Sequence, residues 1–357
     1  MNHEDSVLLH TEGRVRHITL NRPRALNALN HAMVLRMGEA LDAAERDASV
    51  VAVLLTGAGD RGLCAGGDIR SIREDALAGG RASLDFWRDE YRLNARIARF
   101  SKPYVALMDG IVMGGGVGVS AHGSLRIVTE RSRIAMPETG IGFVPDVGGT
   151  HLLGAAPGEL GLHLALTGDM VGAADALLCG LADHYVPSGE LPALLTALDA
   201  CTTAEAVVGT AERYAGTAPV PELAGHREWI DACYAADTVE EIVERLEGCG
   251  VPAAKQAAST IRAKSPTALK VTLAAVRRAR RLECLEAALD QEYRVSSTAF
   301  TRPDLVEGVR AQIIDKDRSP RWSPAELAEV TDEEVARHFA PLGDDELGLG
   351  PAAGAAG

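Results

Sequence analysis

Apolar positions follow two rhythms in the first half of the chain. Val50 to Leu55 and Tyr104 to Met108 are continuous apolar runs, closed by Gly57-x-Gly59 and by Asp109-Gly110. Runs this short and uniform predict strands covered on both faces. Leu125 to Thr129 and Arg133 to Met136 predict two more, and Val7 to Leu9 with Val15 to Leu20 predict a hairpin around Glu12-Gly13. Elsewhere the period lengthens. Met33, Val34, Met37, Leu41 and Ala44 share one helical face, with Asn30 placed to cap it. A helix over 84–100 carries the stripe Phe86, Glu90, Leu93, Ile97, which sets an acid among apolar side chains. From about residue 190 onward helical spacing dominates, punctuated by Pro187, Pro192 and Pro219-Val220-Pro221. Strand–helix alternation followed by helices predicts an α/β core over 1–190, a helical region over 191–345 and a disordered Gly/Ala-rich tail over 346–357. No internal repeat of solenoid length is present.

Composition narrows the field. The chain has 357 residues, 46% hydrophobic and 24% charged, enough to bury a real core. A net charge of −14 and only 4% aromatic residues exclude a nucleic-acid partner, so any bound phosphate must be held by local features. The six cysteines form no Cys-x-x-Cys pair and no metal-ligand spacing, so they read as reduced thiols of a cytoplasmic protein without a metal. The polar start Met1-Asn2-His3-Glu4-Asp5 reads as neither a signal nor a transit peptide. No 18-residue apolar run exists, which excludes a membrane-spanning helix.

Three segments carry the candidate chemistry. Gly62-Leu63-Cys64-Ala65-Gly66-Gly67-Asp68-Ile69-Arg70 follows a buried strand, and its small residues let backbone N–H groups approach a ligand; a Gly-rich turn closing the strand is the plain alternative. Met113-Gly114-Gly115-Gly116-Val117-Gly118-Val119-Ser120 opens a helix whose first amides are aimed at an anion or oxyanion. A dinucleotide fingerprint there needs glycine at position 119, which is valine, and no Gly-Lys-Ser/Thr follows for a P-loop. Close helix–sheet packing is the alternative for this segment.

Met136 to Thr150 holds Glu138 and Asp146 eight residues apart in a loop rich in Gly and Pro. Such acids can shuttle protons in apolar surroundings, or Glu138 can attack an acyl carbon. A helix cap and a turn would use the same residue types. No G-x-S-x-G elbow, H-E-x-x-H or EF-hand pattern is present. Cys64 reads as a packing thiol and His122 as a structural histidine.

Taken together and in this order, the three segments resemble the crotonase (enoyl-CoA hydratase/isomerase) superfamily, and within it the 3-hydroxyisobutyryl-CoA hydrolase branch. The resemblance covers nearly the whole chain. It includes Asn21-Arg22-Pro23-Arg24-Ala25-Leu26-Asn27-Ala28-Leu29, the stretch from Phe86 to Asn94, Ser265 to Lys270, Glu307 to Arg310 and Asp315 to Trp322. Ordinary hydratases lack the downstream stretches.

The resemblance implies a repeated ββα spiral core with a helical C-terminal region. It implies a thioester carbonyl held between the amides of Ala65 and Gly115. Coenzyme A would be bound by Arg24, Ala25, Gly66, Gly67, Asp68, Ile69 and Gly114. Hydratases place one glutamate two residues beyond the triple glycine, where this chain has Gly118, and a second at the position of Glu138. Asp146 stands where hydratases commonly carry glycine. Glu90 matches the acid that holds a substrate 3-hydroxyl in the hydrolases.

The implied activity is hydrolysis of a short 3-hydroxyacyl-CoA in valine breakdown, with Glu138 and Asp146 catalytic. Coenzyme A enters as part of the substrate, and neither a cofactor nor a membrane or nucleic-acid partner is needed. Crotonases often form trimers, which leaves a homo-oligomer open. A hydratase or isomerase on the same fold is disfavoured by Gly118, and a non-catalytic acyl-CoA binder by the retained acids.

Overall fold

Nine strands form two sheets among the residues that the computed structural model describes, 6–350. They are β1 (Val7–Glu12), β2 (Val15–Leu20), β3 (Ala52–Gly57), β4 (Gly62–Cys64), β5 (Tyr104–Met108), β6 (Ile111–Met113), β7 (Leu125–Val128), β8 (Arg133–Ala135) and β9 (His184–Tyr185). The larger sheet runs β1-β2-β3-β5-β7-β9 and the smaller β4-β6-β8. Only the β1–β2 hairpin is antiparallel.

Successive strand pairs send one member to each sheet. β3 and β4 lead to the helix Ile69–Leu77, β5 and β6 to Gly115–Ser120, and β7 and β8 to the 3-10 turn Glu138–Ile141. This is the ββα repeat. The continuous apolar runs are central parallel strands: Val53, Leu54, Leu55 and every residue of β5 are buried, because both faces of the sheet are covered. β4, β6 and β9 are two or three residues long, too short to show a period in sequence.

The chain divides into two compact units, but not at residue 190. The first comprises the residues up to Asp68, Asp89–Ala135 and Val171–Pro221, and holds both sheets. The helices Leu191–Asp199 and Ala204–Tyr214 belong to it. Their apolar stripe of Leu191, Leu194, Leu198 and Val207 packs on Val15, Ala52, Leu54 and Val105 of the large sheet. They are the sheet's outer layer, not the start of a separate helical region.

The second unit comprises Ile69–Arg88, Met136–Met170 and the residues from Glu222 onward. It takes residues 136–170 out of the expected core. It is helical, and Thr238 and Ser265 cap two of its helices by accepting from the amides of Glu241 and Ala268. The helix Leu160–Thr167 is buried on every side.

Part of the expected disordered tail is ordered. Glu346 pairs with Arg294 at 2.9 Å, and the amides of Leu349 and Gly350 donate to the Asp290 carboxylate at 2.8 and 2.9 Å. The rest of that tail, 351–357, and the polar start, 1–5, lie outside the described residues. No helix among the described residues is long and apolar enough to cross a membrane.

Candidate active site

In the first unit the two Gly-rich segments lie side by side. A Cβ on Gly66 would stand 3.3 Å from the Met113 carbonyl oxygen and 3.7 Å from the Gly115 amide nitrogen. The Ala65–Asp68 loop is pinned through its backbone: Leu29 donates to the Gly66 carbonyl and Asp68 donates back to the Leu29 carbonyl, both at 2.8 Å. Arg22 reinforces it with a 2.9 Å bond to the Asp68 carboxylate.

One expectation fails here. The Ala65 amide donates to the Leu26 carbonyl at 2.9 Å, so it is not on offer to a ligand. The amides of Gly67 and Gly115 have no acceptor among the described residues. A Cβ on Gly115 would lie 3.4 Å from the Gly67 nitrogen, so these two N–H groups are neighbours.

The three consecutive glycines serve different purposes. Gly114 has φ of 49° with ψ of −120°, a conformation that side chains disfavour. Gly116 faces the Cys64 carbonyl, 2.5 Å from where its Cβ would be, so only hydrogen fits. Gly115 leaves room for the Glu90 carboxylate, whose Oε1 is 2.6 Å from the missing Cβ. Glu90 is 1% exposed on the helix Ala82–Ala98, so the acid on the apolar stripe does reach the Gly115 loop. Cys64 is buried and its thiol is pushed up to about 12 by that burial, which makes it a packing residue. Arg24 and Ala25 sit exposed on the 3-10 turn Pro23–Ala25, where Arg61 bonds the Arg24 carbonyl at 3.1 Å. Gly118 is buried in the helix Gly115–Ser120 and offers no acid.

The second unit brings acids together. Glu138 opens the turn Glu138–Ile141 and is 6% exposed; Asp146 is 5% exposed. The Glu138 Oε2 is buried with no hydrogen-bond partner among the described residues. Loss of water pushes its carboxyl well above the usual range, and the negative charges of Asp146 and Glu292 add to the rise. Ile69, expected in the ligand loop, begins the helix Ile69–Leu77 in this unit and is partly buried.

Glu292, absent from the sequence reading, is fully buried on the helix Leu285–Phe300. Its Oε2 accepts from the Gly148 amide at 2.6 Å, and its Oε1 accepts from the Thr150 amide at 2.8 Å and from the Thr150 hydroxyl. Burial still holds its carboxyl up at about 8, because three donors offset only part of the lost hydration. The signal that marks Glu90 marks this residue too. Leu285, Ala288, Leu289, Val295 and Ala299 form an apolar stripe interrupted by Glu292.

Comparison with known proteins places these features in context. A family profile described as enoyl-CoA hydratase/isomerase matches residues 15–339. The chain is 42% identical over 357 residues to the mitochondrial 3-hydroxyisobutyryl-CoA hydrolase of Gallus gallus, covering 97% of this chain and 92% of that one. It is 53% identical to the crystal structure of a carnitinyl-CoA dehydratase from Mycobacterium thermoresistibile, with a TM-score of 0.93 and coverage of 97% and 99%. A crystal structure of an enoyl-CoA hydratase from Rhodobacter sphaeroides is 45% identical, with a TM-score of 0.90 and coverage of 96% and 99%.

Proposed function

The chain belongs to the enoyl-CoA hydratase/isomerase family, and from that premise we propose that it hydrolyses a short 3-hydroxyacyl-CoA thioester, 3-hydroxyisobutyryl-CoA above all. The observation that carries the reading is the buried Glu138–Asp146 pair in a chain whose residue 118 is glycine. Adding water across a double bond calls for an acid and a base on the substrate carbons, and position 118 supplies neither. Splitting a thioester calls for an oxyanion holder, a nucleophile or base, and a group to handle water.

The first unit supplies candidates for the oxyanion holder. In this reading the amides of Gly67 and Gly115, rather than those of Ala65 and Gly115, take the developing negative charge. Glu90 accepts from the substrate 3-hydroxyl. The stretch Gly66–Asp68, with Ile69, Gly114, Arg24 and Ala25, holds the coenzyme A moiety.

The second unit supplies the acids. Glu138 attacks the carbonyl carbon, the C–S bond breaks, and coenzyme A leaves as its thiolate, which takes a proton from solvent. Water, deprotonated or positioned by Asp146, then cleaves the anhydride and restores the Glu138 carboxylate. The alternative is direct activation of water by Glu138. Neither route uses a metal or redox cofactor, and the product suits valine breakdown. Six free thiols suit a reducing compartment, the cytoplasm in our reading.

A hydratase is the second reading, favoured by what the Rhodobacter sphaeroides structure is called. Two assays on the wild-type protein separate them. Free-thiol release from 3-hydroxyisobutyryl-CoA, with loss of crotonyl-CoA absorbance slower by about a hundredfold or more, is expected. Rapid hydration without thiol release would sink the hydrolase.

A further inference from the structure

We infer that Glu292 is a positioning residue for the hydrolysis proposed above: it clamps the turn Val147–Thr150 and so fixes where the Asp146 carboxylate points. The inference rests on that reading of function for its catalytic consequence, but the clamp itself is visible in the geometry.

The turn after Asp146 is unusual. Val147 has φ of 54° and Gly148 has φ of 80°, two left-handed residues in succession. Glycine adopts that conformation readily; a β-branched valine does not. Backbone of this kind persists only where its surroundings determine it. The reversal turns the amides of Gly148 and Thr150 toward a single acceptor, and both oxygens of Glu292 meet them, with the Thr150 hydroxyl as the third donor. Gly149 closes the other side by donating to the Asp146 carbonyl at 2.6 Å. Val147 itself is 1% exposed, so the turn cannot relax outward without opening its packing.

An acid is also a costly choice for a merely structural anchor here. Glu292 is wholly buried and shares its surroundings with the like charges of Glu138 and Asp146. A residue chosen for packing alone would be apolar. What Glu292 supplies once ionised, above about pH 8, and an apolar residue or an amide does not, is two acceptor oxygens with no donor to clash with the three N–H and O–H groups, so the clamp is read at pH 9.

The test uses a graded pair of variants. Thr150→Val removes one donor and keeps the turn's backbone. Glu292→Gln keeps the volume but replaces one acceptor by an NH2 group that faces an N–H. Amide exchange at Gly148 and Thr150 reads the clamp without any substrate, and is expected to quicken about ten-fold in Glu292→Gln and less in Thr150→Val. Thiol release reads its consequence: kcat falls about 10- to 100-fold in Glu292→Gln, with KM within about two-fold. Exchange unchanged in Glu292→Gln, or quickened with kcat intact, would overturn the inference. Should Glu292→Gln fail to fold, Thr150→Val carries the same test at smaller amplitude. A wild type that releases no thiol, while exchange still responds, would discard the hydrolase and leave the clamp standing.

Discussion

The sheet-bearing unit and the helical unit offer reactive groups of opposite kinds. The first offers main-chain N–H groups, those of Gly67 and Gly115, left without an acceptor among the described residues and uncovered by any side chain of their own. The second offers carboxyls, Glu138 and Asp146 backed by Glu292, all buried. An amide needs no counter-charge, does not titrate and costs little to hold still once its loop is hydrogen-bonded. A buried acid carries a desolvation cost and a proton whose affinity depends on its neighbours. The amide pair is therefore a fixed device sensitive to volume, and the acid cluster a tunable device sensitive to pH and charge.

The largest test of that contrast is Glu138→Gln. Gln preserves shape and removes the proposed nucleophile or base, so thiol release is expected to fall by about a thousandfold. In the wild type, burial and two nearby acids raise the Glu138 pKa, so its reactive anion fills only as pH climbs past the usual carboxylate range. The rate should accordingly rise with pH toward a plateau, and the variant should lack that limb. A variant that keeps more than about a tenth of the rate would move the chemistry off Glu138.

Gly115→Ala probes the other device. The new methyl would meet Glu90 Oε1 at 2.6 Å and stand 3.4 Å from the Gly67 nitrogen, against the very amides on offer. Glu90 is buried and has little room to retreat. We expect kcat/KM to drop about a hundredfold in a folded protein, the size of effect seen when one oxyanion donor is lost. Because amides do not titrate, the shape of the pH profile should survive. A profile that loses its acid limb in Gly115→Ala would erase the distinction between the two devices.

How far the chain itself discloses these devices differs between them. The ββα alternation is legible because the apolar period changes visibly between β3 or β5 and the helices that flank them. The triple glycine is legible as an amide site, and Glu138 with Asp146 as an acid pair. What sequence does not disclose is bookkeeping across the fold. Nothing near Ala65 shows that its amide is consumed by Leu26, 39 residues earlier in neither helix nor strand. Likewise the apolar stripes of Leu191–Asp199 and Ala204–Tyr214 declare that those helices are covered, but not that the large sheet covers them. Val147 looks like a residue for extended backbone and adopts a left-handed turn because Glu292, far down the chain, holds it there. Glu292 carries the same stripe signal that the helical spacing shows at Glu90, but no resemblance gives it a role.

The smallest expected effect concerns stability, and it separates the devices without any substrate. Glu138 binds its proton more tightly in the folded chain than at its ordinary value of 4.5. Between that value and its raised folded pKa, the unfolded chain has lost the proton and the folded chain has kept it. Stability therefore falls as pH rises through the window and stays low above it. Glu138→Gln removes this contribution, so the variant should be the more stable protein at pH 8, with the gap narrowing toward pH 5. Glu292, held up at about 8, contributes with the same sign and leaves a residual slope in the variant. Gly115→Ala should keep the pH slope that Glu138 and Glu292 produce, since its new methyl touches neither of them. Urea unfolding of the three proteins at pH 5 and pH 8 decides it. An equal gap between wild type and Glu138→Gln at both pH values would mean that the acid cluster is not under the strain that its burial implies.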